Sequence, residues 1–185
     1  LKGAAIKKEN ILREGKSNGF SQYFLAHCPN GISDVHGYEK ITIKNIYPKI
    51  DWVLHTSPSP LRGDKGGFNY DFIVLPGADS RQIQLVYNSL EPLQLNKDGS
   101  IEISAELGTL SEATPYSYIR ETKEEVKTKF QITDQKHINN QYYQTAVSFV
   151  INSTINHQPS TMIIDPLITP VLKWGTYYGG NGLDG

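Results

Sequence analysis

Three aspartates, Asp51, Asp71 and Asp165, stand beside aromatic residues or prolines, and each could supply a carboxyl group to a reaction. Two carboxyls about 5 to 9 Å apart in an open cleft are the arrangement that cleaves glycosidic bonds, one as acid and the other as nucleophile or base. The simpler reading is that an acid at a strand end accepts backbone N–H bonds and fixes a turn. His27, Cys28 and His36 contain metal-ligating atoms, but zinc sites draw on C-x-x-C or spaced histidine pairs, so these residues read as loop histidines and a buried thiol. Asn96–Gly99 lacks the alternating acids and distal glutamate of a calcium loop. No nucleophile elbow, phosphate-binding glycine loop or dinucleotide fingerprint is present. The expectation is therefore a chain with no catalytic residues, no metal and no cofactor.

Eleven tyrosines and two tryptophans offer ring faces on which a sugar could stack. Tyr116, Tyr118, Tyr142 and Tyr143 lie in or near expected loops and are the candidate ligand or partner contacts. In an all-β domain most aromatics are core or cross-strand partners, which is the competing role for each of them.

The elements that must position these residues are strands. Residues 68–103 carry three strand-like runs and two well-specified turns. Phe68, Tyr70, Phe72 and Val74 alternate with Asn69, Asp71, Ile73 and Leu75, and both faces become apolar, which predicts a central strand. Pro76 and Gly77 suit the middle of a type II turn. Asp79 and Ser80 can cap one helical turn before the next strand. Asn96, Lys97, Asp98 and Gly99 predict a type I turn closed by a glycine bulge, which sets Leu95 opposite Ile101 and Leu93 opposite Ile103 on one face.

Before this stretch, residues 1–19 read as a short strand or ragged lead-in, and residues 20–27 as a strand ended by a turn at Pro29, Asn30 and Gly31. Strands follow at residues 38–46 and 50–55, then a long loop at 56–67. After it, residues 106–118 look turn-rich, Thr128, Phe130 and Ile132 alternate as a strand, and the polar run 133–141 reads as a connection. Residues 143–151 and 161–164 are the last confident strands, and Asp165 with Pro166 marks the turn that leaves them. Ten to twelve short strands at 8 to 12 residue spacing predict an all-β fold, a β-sandwich of short, mainly antiparallel strands with little helix. The expected division is 1–19 as lead-in, 20–170 as the sandwich module and 171–185 as an exit segment.

The 18 basic and 19 acidic residues leave a formal charge of -1 without any block of one sign. That balance speaks against nucleic acid, whose binding needs clustered positive charge. No apolar run reaches the length of a membrane-spanning helix, so no membrane insertion is expected. The single cysteine excludes an internal disulfide.

Several words along the chain resemble, in order, the amino-terminal module of large bacterial surface proteins that carry SBBP repeats, a repeat type associated with β-propellers. Gln22, Tyr23, Phe24, Leu25 and Ala26 are similar to its NYFLG segment, and Tyr38, Glu39, Lys40 and Ile41 to its Y.KV. Asn45 to Asp51 resembles NVYPGID, with Lys49 where the family carries glycine. Tyr70 to Asp79 resembles YDFIVAPGAD. Ile163, Ile164, Asp165 and Pro166 are similar to LIIDP, and Thr176 to Gly180 to the TYYGG that opens a first repeat. The resemblance implies a bacterial protein that is secreted or displayed at the cell surface, in which this module caps or presents downstream repeats of the same chain and takes part in adhesion. Its expected partners are those repeats and a surface glycan or protein. The alternative is a carbohydrate-binding or carbohydrate-cleaving domain that uses the loop tyrosines and aspartates.

Overall fold

In a computed structural model the chain is all-β: 66% strand and 4% helix, in antiparallel sheets. The structure describes residues 1–25, 27–57, 67–106, 108–138, 140–151, 160–166 and 168–172. The largest sheet holds β1 (Ile11–Leu25), β2 (Cys28–Tyr47), β3 (Ile50–Ser57), β4 (Gly67–Val74), β12 (Met162–Asp165) and β9 (Tyr116–Ile119), in that spatial order. A three-stranded sheet orders β10 (Thr128–Ile138), β11 (Tyr142–Ile151) and β5 (Leu85–Ser89). A four-stranded sheet orders β13 (Ile168–Leu172), β8 (Gly108–Glu112), β7 (Ile101–Ala105) and β6 (Gln94–Leu95).

The predicted turns form as their chemistry requires. Ala78 N–H donates to the Leu75 carbonyl at 3.0 Å across Pro76 and Gly77, and Gly77 takes φ 75, the left-handed value that a type II turn needs at its third position. Asp79 caps the 3-10 turn Ser80–Gln82 by accepting from Arg81 N–H. In the next hairpin Gly99 N–H donates to the Asn96 carbonyl at 3.0 Å, and Gly99 has φ 86. Asp98 Oδ1 braces this loop by accepting from Ser100 N–H. Leu95 pairs with Ile101 as the turn dictates. Leu93, Ile101 and Ile103 are buried, whereas Leu95 at the hairpin tip is 48% exposed, because only two residues of β6 belong to the sheet.

β4 is central, lying between β3 and β12, and Tyr70, Phe72 and Val74 turn into the core as the alternation predicts. Phe72 is fully buried, and its ring meets Trp52, Tyr70 and, from the three-stranded sheet, Phe149 at 5.9 Å. Phe149 in turn contacts Phe130 at 5.5 Å, so one run of rings joins two sheets. A second join is polar. Glu112 on β8 is 2% exposed; Tyr70 Oη of the largest sheet and Tyr87 Oη of the three-stranded sheet each donate to it at 2.8 Å, one to each carboxylate oxygen. Burial raises the Glu112 carboxyl pKa, and the two tyrosine bonds oppose that shift.

Several boundaries differ from the sequence reading. β1 runs unbroken through the expected gap at residues 15–19, paired to β2 with register shifts that absorb the glycines. The chain reverses between Leu25 and Cys28, which are paired, so Pro29, Asn30 and Gly31 lie inside β2 instead of forming the turn. Proline is tolerated there because, among the described residues, this part of β2 pairs only with β1. The turn-rich reading of 106–118 hides two strands, β8 and β9. The polar run 133–141 is mostly the outer half of β10, whose exposed edge position leaves no apolar alternation to read. Lys49 adopts φ 60 in the turn between β2 and β3, a conformation that glycine would reach without strain. Of the expected 56–67 loop, residues 58–66 lie outside the described residues, as do 173–185 of the expected exit segment; Ile168–Leu172 pairs with β8.

Candidate functional site

Strand alternation turns one face of the largest sheet to the Phe72 core and the other away from it, where Asp51, Val53, Asn69 and Ile163 are nevertheless buried. On β4 the outward set is Asn69, Asp71 and Ile73; on β3 it contains Asp51, Val53 and His55, in a register that pairs His55 with Asn69 and Val53 with Asp71. β12 pairs Ile163 with Ile73, and the same register continued by two residues brings Asp165 beside Asp71. At the next strand Asp165 pairs with Tyr116 and Ile163 with Tyr118. Two carboxyls far apart in sequence therefore meet on an outer sheet face, with a histidine and an asparagine on one side and two tyrosines on the other.

The contacts are close. His55 Nε2 lies 3.2 Å from Asp71 Oδ2, off the line of a good hydrogen bond, and Asn69 Nδ2 donates to Asp165 Oδ1 at 3.4 Å. Asp165 is within hydrogen-bonding reach of Asp71. Burial first, and the Asp165 charge second, push the Asp71 carboxyl up to about 6, while His55 pulls against the shift. Burial and the neighbouring negative charge thus keep the Asp71 carboxyl protonated to a higher pH than an ordinary aspartate.

This arrangement gives a pH signature. A carboxyl whose folded pKa is raised stabilises the fold below its unfolded pKa and loses that contribution as pH rises through the folded value. From 3.8 to about 6, the full shift corresponds to about 3 kcal/mol, and solvent screening of a side chain 23% exposed reduces it to about 1–2 kcal/mol. Asp71→Asn is thus expected to gain about 1–2 kcal/mol on the wild-type protein between pH 4.5 and pH 7.5. Urea unfolding of both proteins at the two pH values measures it; a difference that stays constant with pH would refute the assignment.

Asp51 does not join this group. Its Oδ1 accepts from Asn45 N–H at 2.8 Å, where β2 bulges and Asn45 takes φ 50, so it fixes the entry to β3 as a turn acid. Tyr116 and Tyr118 are strand residues of β9 rather than loop residues; their rings are 5.6 Å apart, Tyr116 is 53% exposed, and Lys123 Nζ lies 5.0 Å from the Tyr118 ring. Tyr142 and Tyr143 begin β11 in another sheet, and Tyr143 stacks on His137 at 4.5 Å, away from the carboxyls. Pro76, Gly77, Asp98 and Gly99 serve their turns. Asp165 belongs to the cluster as well as to the strand end, and Pro166 beside it is buried. His36 bonds to Asp34 and to the carbonyls of Ser17 and Gly19, and Cys28 Sγ to the Gly31 carbonyl. Among the described residues no three His, Cys, Asp or Glu side chains are placed to hold a metal.

Sequence reasoning missed His55, Asn69 and Glu112. The first two are visible in hindsight only through the β3–β4 register, and the third sits in a strand without strong alternation. A cavity of about 260 Å³ lies elsewhere, walled by Leu1, Lys2 and Val86, Gln144 and Ala146 of the three-stranded sheet.

Fold and site together define an all-β, sandwich-like domain with a polar carboxyl cluster on the outer face of its largest sheet. The chain belongs to the family described as a domain of unknown function, DUF7948, whose model matches residues 1–167. No curated protein matches the chain, and no solved structure does. Among the described residues no helix is long and apolar enough to cross a membrane.

Proposed function

We propose that this domain is a non-catalytic structural and interaction module of a larger exported bacterial surface protein, and that it caps or presents the repeats that follow it. The supporting observation is the distal half of the β1–β2 ribbon. β3 pairs with β2 only from Lys40 onward, so residues 16–36 form a two-stranded arm with no third strand among the described residues. Such a ribbon is marginal by itself in water. It nevertheless carries Phe24 at 79% exposure and Phe20 at 58%, with Tyr23, Leu25 and Ile32 also exposed. From Ser17 to Ser33 there is no Lys, Arg, Asp or Glu. An uncharged, aromatic arm fits burial against an apolar neighbour.

The test is hydrogen exchange of this chain alone and of the same chain continued through its downstream repeats. Amides of residues 20–33 should exchange at least about tenfold more slowly in the longer protein, and Phe24→Ser should abolish that protection without altering the stability of the isolated domain. Identical exchange in both proteins would refute the proposal.

A further inference from the structure

His36 ties the two strands of the arm together near its base, and among the described residues each hydrogen-bonding contact of its ring is with an oxygen. Nδ1 lies 3.0 Å from the Ser17 carbonyl and 3.1 Å from the Gly19 carbonyl of β1, and Nε2 lies 2.8 Å from Asp34 Oδ1 on its own strand. Carbonyl and carboxylate oxygens accept and do not donate, so with Asp34 as a carboxylate the set is satisfied when both ring nitrogens carry protons. That is the imidazolium form. Its side chain is 13% exposed, with the Phe20 ring centred 6.1 Å away. Two irregularities of the backbone meet at the same place. Between the pairs Lys16 with Tyr38 and Phe20 with His36, three residues of β1 stand opposite Gly37, and Ser17 Oγ closes that bulge by accepting from Gly37 N–H at 3.0 Å and donating to the Gly19 carbonyl at 2.8 Å. Asp34 lies in the next register shift and takes φ 60, a left-handed conformation that a non-glycine residue holds at a cost.

We propose that His36 is a pH-sensitive latch for the arm: as an imidazolium it binds Ser17, Gly19 and Asp34 together and keeps residues 20–33 in register, and its deprotonation loosens them. Loss of the Nε2 proton sets a ring lone pair against the Asp34 carboxylate, and loss of the Nδ1 proton sets one against two carbonyls. In either case an attraction assisted by charge is replaced by two acceptors facing each other. The latch is therefore complete in mild acid, and the arm opens as pH rises through the range in which histidine titrates, about pH 5 to 8. Among the described residues Asp34 is the charged side chain in contact with the ring; Lys16 and Tyr38, paired with each other, come next along the ribbon, and the Glu14–Lys40 ion pair lies beyond them. The latch acts within this chain, so it concerns the same arm as the proposed function without resting on the repeats that would cover it.

The test is NMR of the whole chain, labelled with nitrogen-15, at about pH 5.5 and about pH 8. At the lower pH both His36 ring nitrogens should show the shifts of protonated nitrogens. Protection of the amides of residues 20–33 against exchange with water, corrected for the intrinsic pH dependence of exchange, should fall about fivefold at the higher pH. Because the Asp71 cluster titrates in the same window, the readout is confined to the arm, and the fall should persist in Asp71→Asn. His36→Gln should give reduced protection that is the same at both pH values. Asp34→Asn separates a latch from a merely structural histidine: its amide can donate to an unprotonated Nε2, so the second ring proton is no longer needed and protection should be retained at both pH values. A neutral His36 ring at the lower pH, wild-type protection that does not change with pH, or a pH response that survives either His36→Gln or Asp34→Asn would each overturn the proposal.

Discussion

Replacing Glu112 with alanine is expected to lower the unfolding free energy by about 3–5 kcal/mol. The loss has two parts. The hydroxyls of Tyr70 and Tyr87 are both left without their acceptor in the interior, at about 1–3 kcal/mol each, and the deleted side chain leaves space that the three surrounding sheets cannot close. Glu112→Gln retains the shape, and its amide can accept from one tyrosine and donate to the other, so the cost should stay below about 2 kcal/mol. Because burial raises the Glu112 pKa, the wild-type carboxyl contributes most below its unfolded pKa and less as pH rises through the folded one, and Glu112→Gln should remove that component. A Glu112→Leu, Tyr70→Phe, Tyr87→Phe variant, apolar throughout, should recover much of the loss, since a buried charge with its partners is often no more stable than a packed apolar replacement. Urea unfolding near neutral pH decides the matter: a cost of Glu112→Ala under about 1 kcal/mol would mean that the carboxylate does not tie the sheets together.

The second large effect is expected at Phe72. Its ring is fully buried and touches Trp52, Tyr70 and Phe149, which come from two sheets. Phe72→Ala should cost about 3–5 kcal/mol, and Phe72→Leu about 1–1.5 kcal/mol, because leucine fills most of the volume while losing the ring contacts. Trp52 stacks on Phe72 with an interplanar angle of 13°, so near-ultraviolet circular dichroism should report the change even where the variant remains folded. An alanine variant within about 1.5 kcal/mol of wild type would show that the ring does not join the sheets.

The residues that were legible in sequence are those governed by local rules. Gly77 and Gly99 take the positive φ that their turns require, and Tyr70, Phe72 and Val74 alternate inward because a half-apolar strand has one way to face a core. Local rules say nothing about which strand lies beside which. Asp71 and Asp165 are separated by most of the chain, and their meeting depends on β12 lying next to β4, a choice made by tertiary packing. His55 enters the same cluster through cross-strand register. Glu112 was hidden for a related reason: a glutamate in a short strand with Thr109 and Ser111 looks solvent-facing, and only the two tyrosines that reach it from other sheets make its burial intelligible. The arm was misread at Pro29, Asn30 and Gly31 because turn-forming residues are also tolerated in a strand that has only one neighbour.

The position of β12 has a kinetic corollary. Among the described residues it is the last strand but one, and it lies between β4 and β9, both of which precede it by more than forty residues. During synthesis the β1 to β4 meander can form from contacts close in sequence, but its inner edge at β4 stays open until Met162–Asp165 has left the ribosome. Closing that edge requires a loop of nearly ninety residues, so it is the slow, entropically costly step of folding. The same strand that joins β4 to β9 delivers Asp165 to Asp71, and the carboxyl cluster is therefore assembled only when that long loop closes.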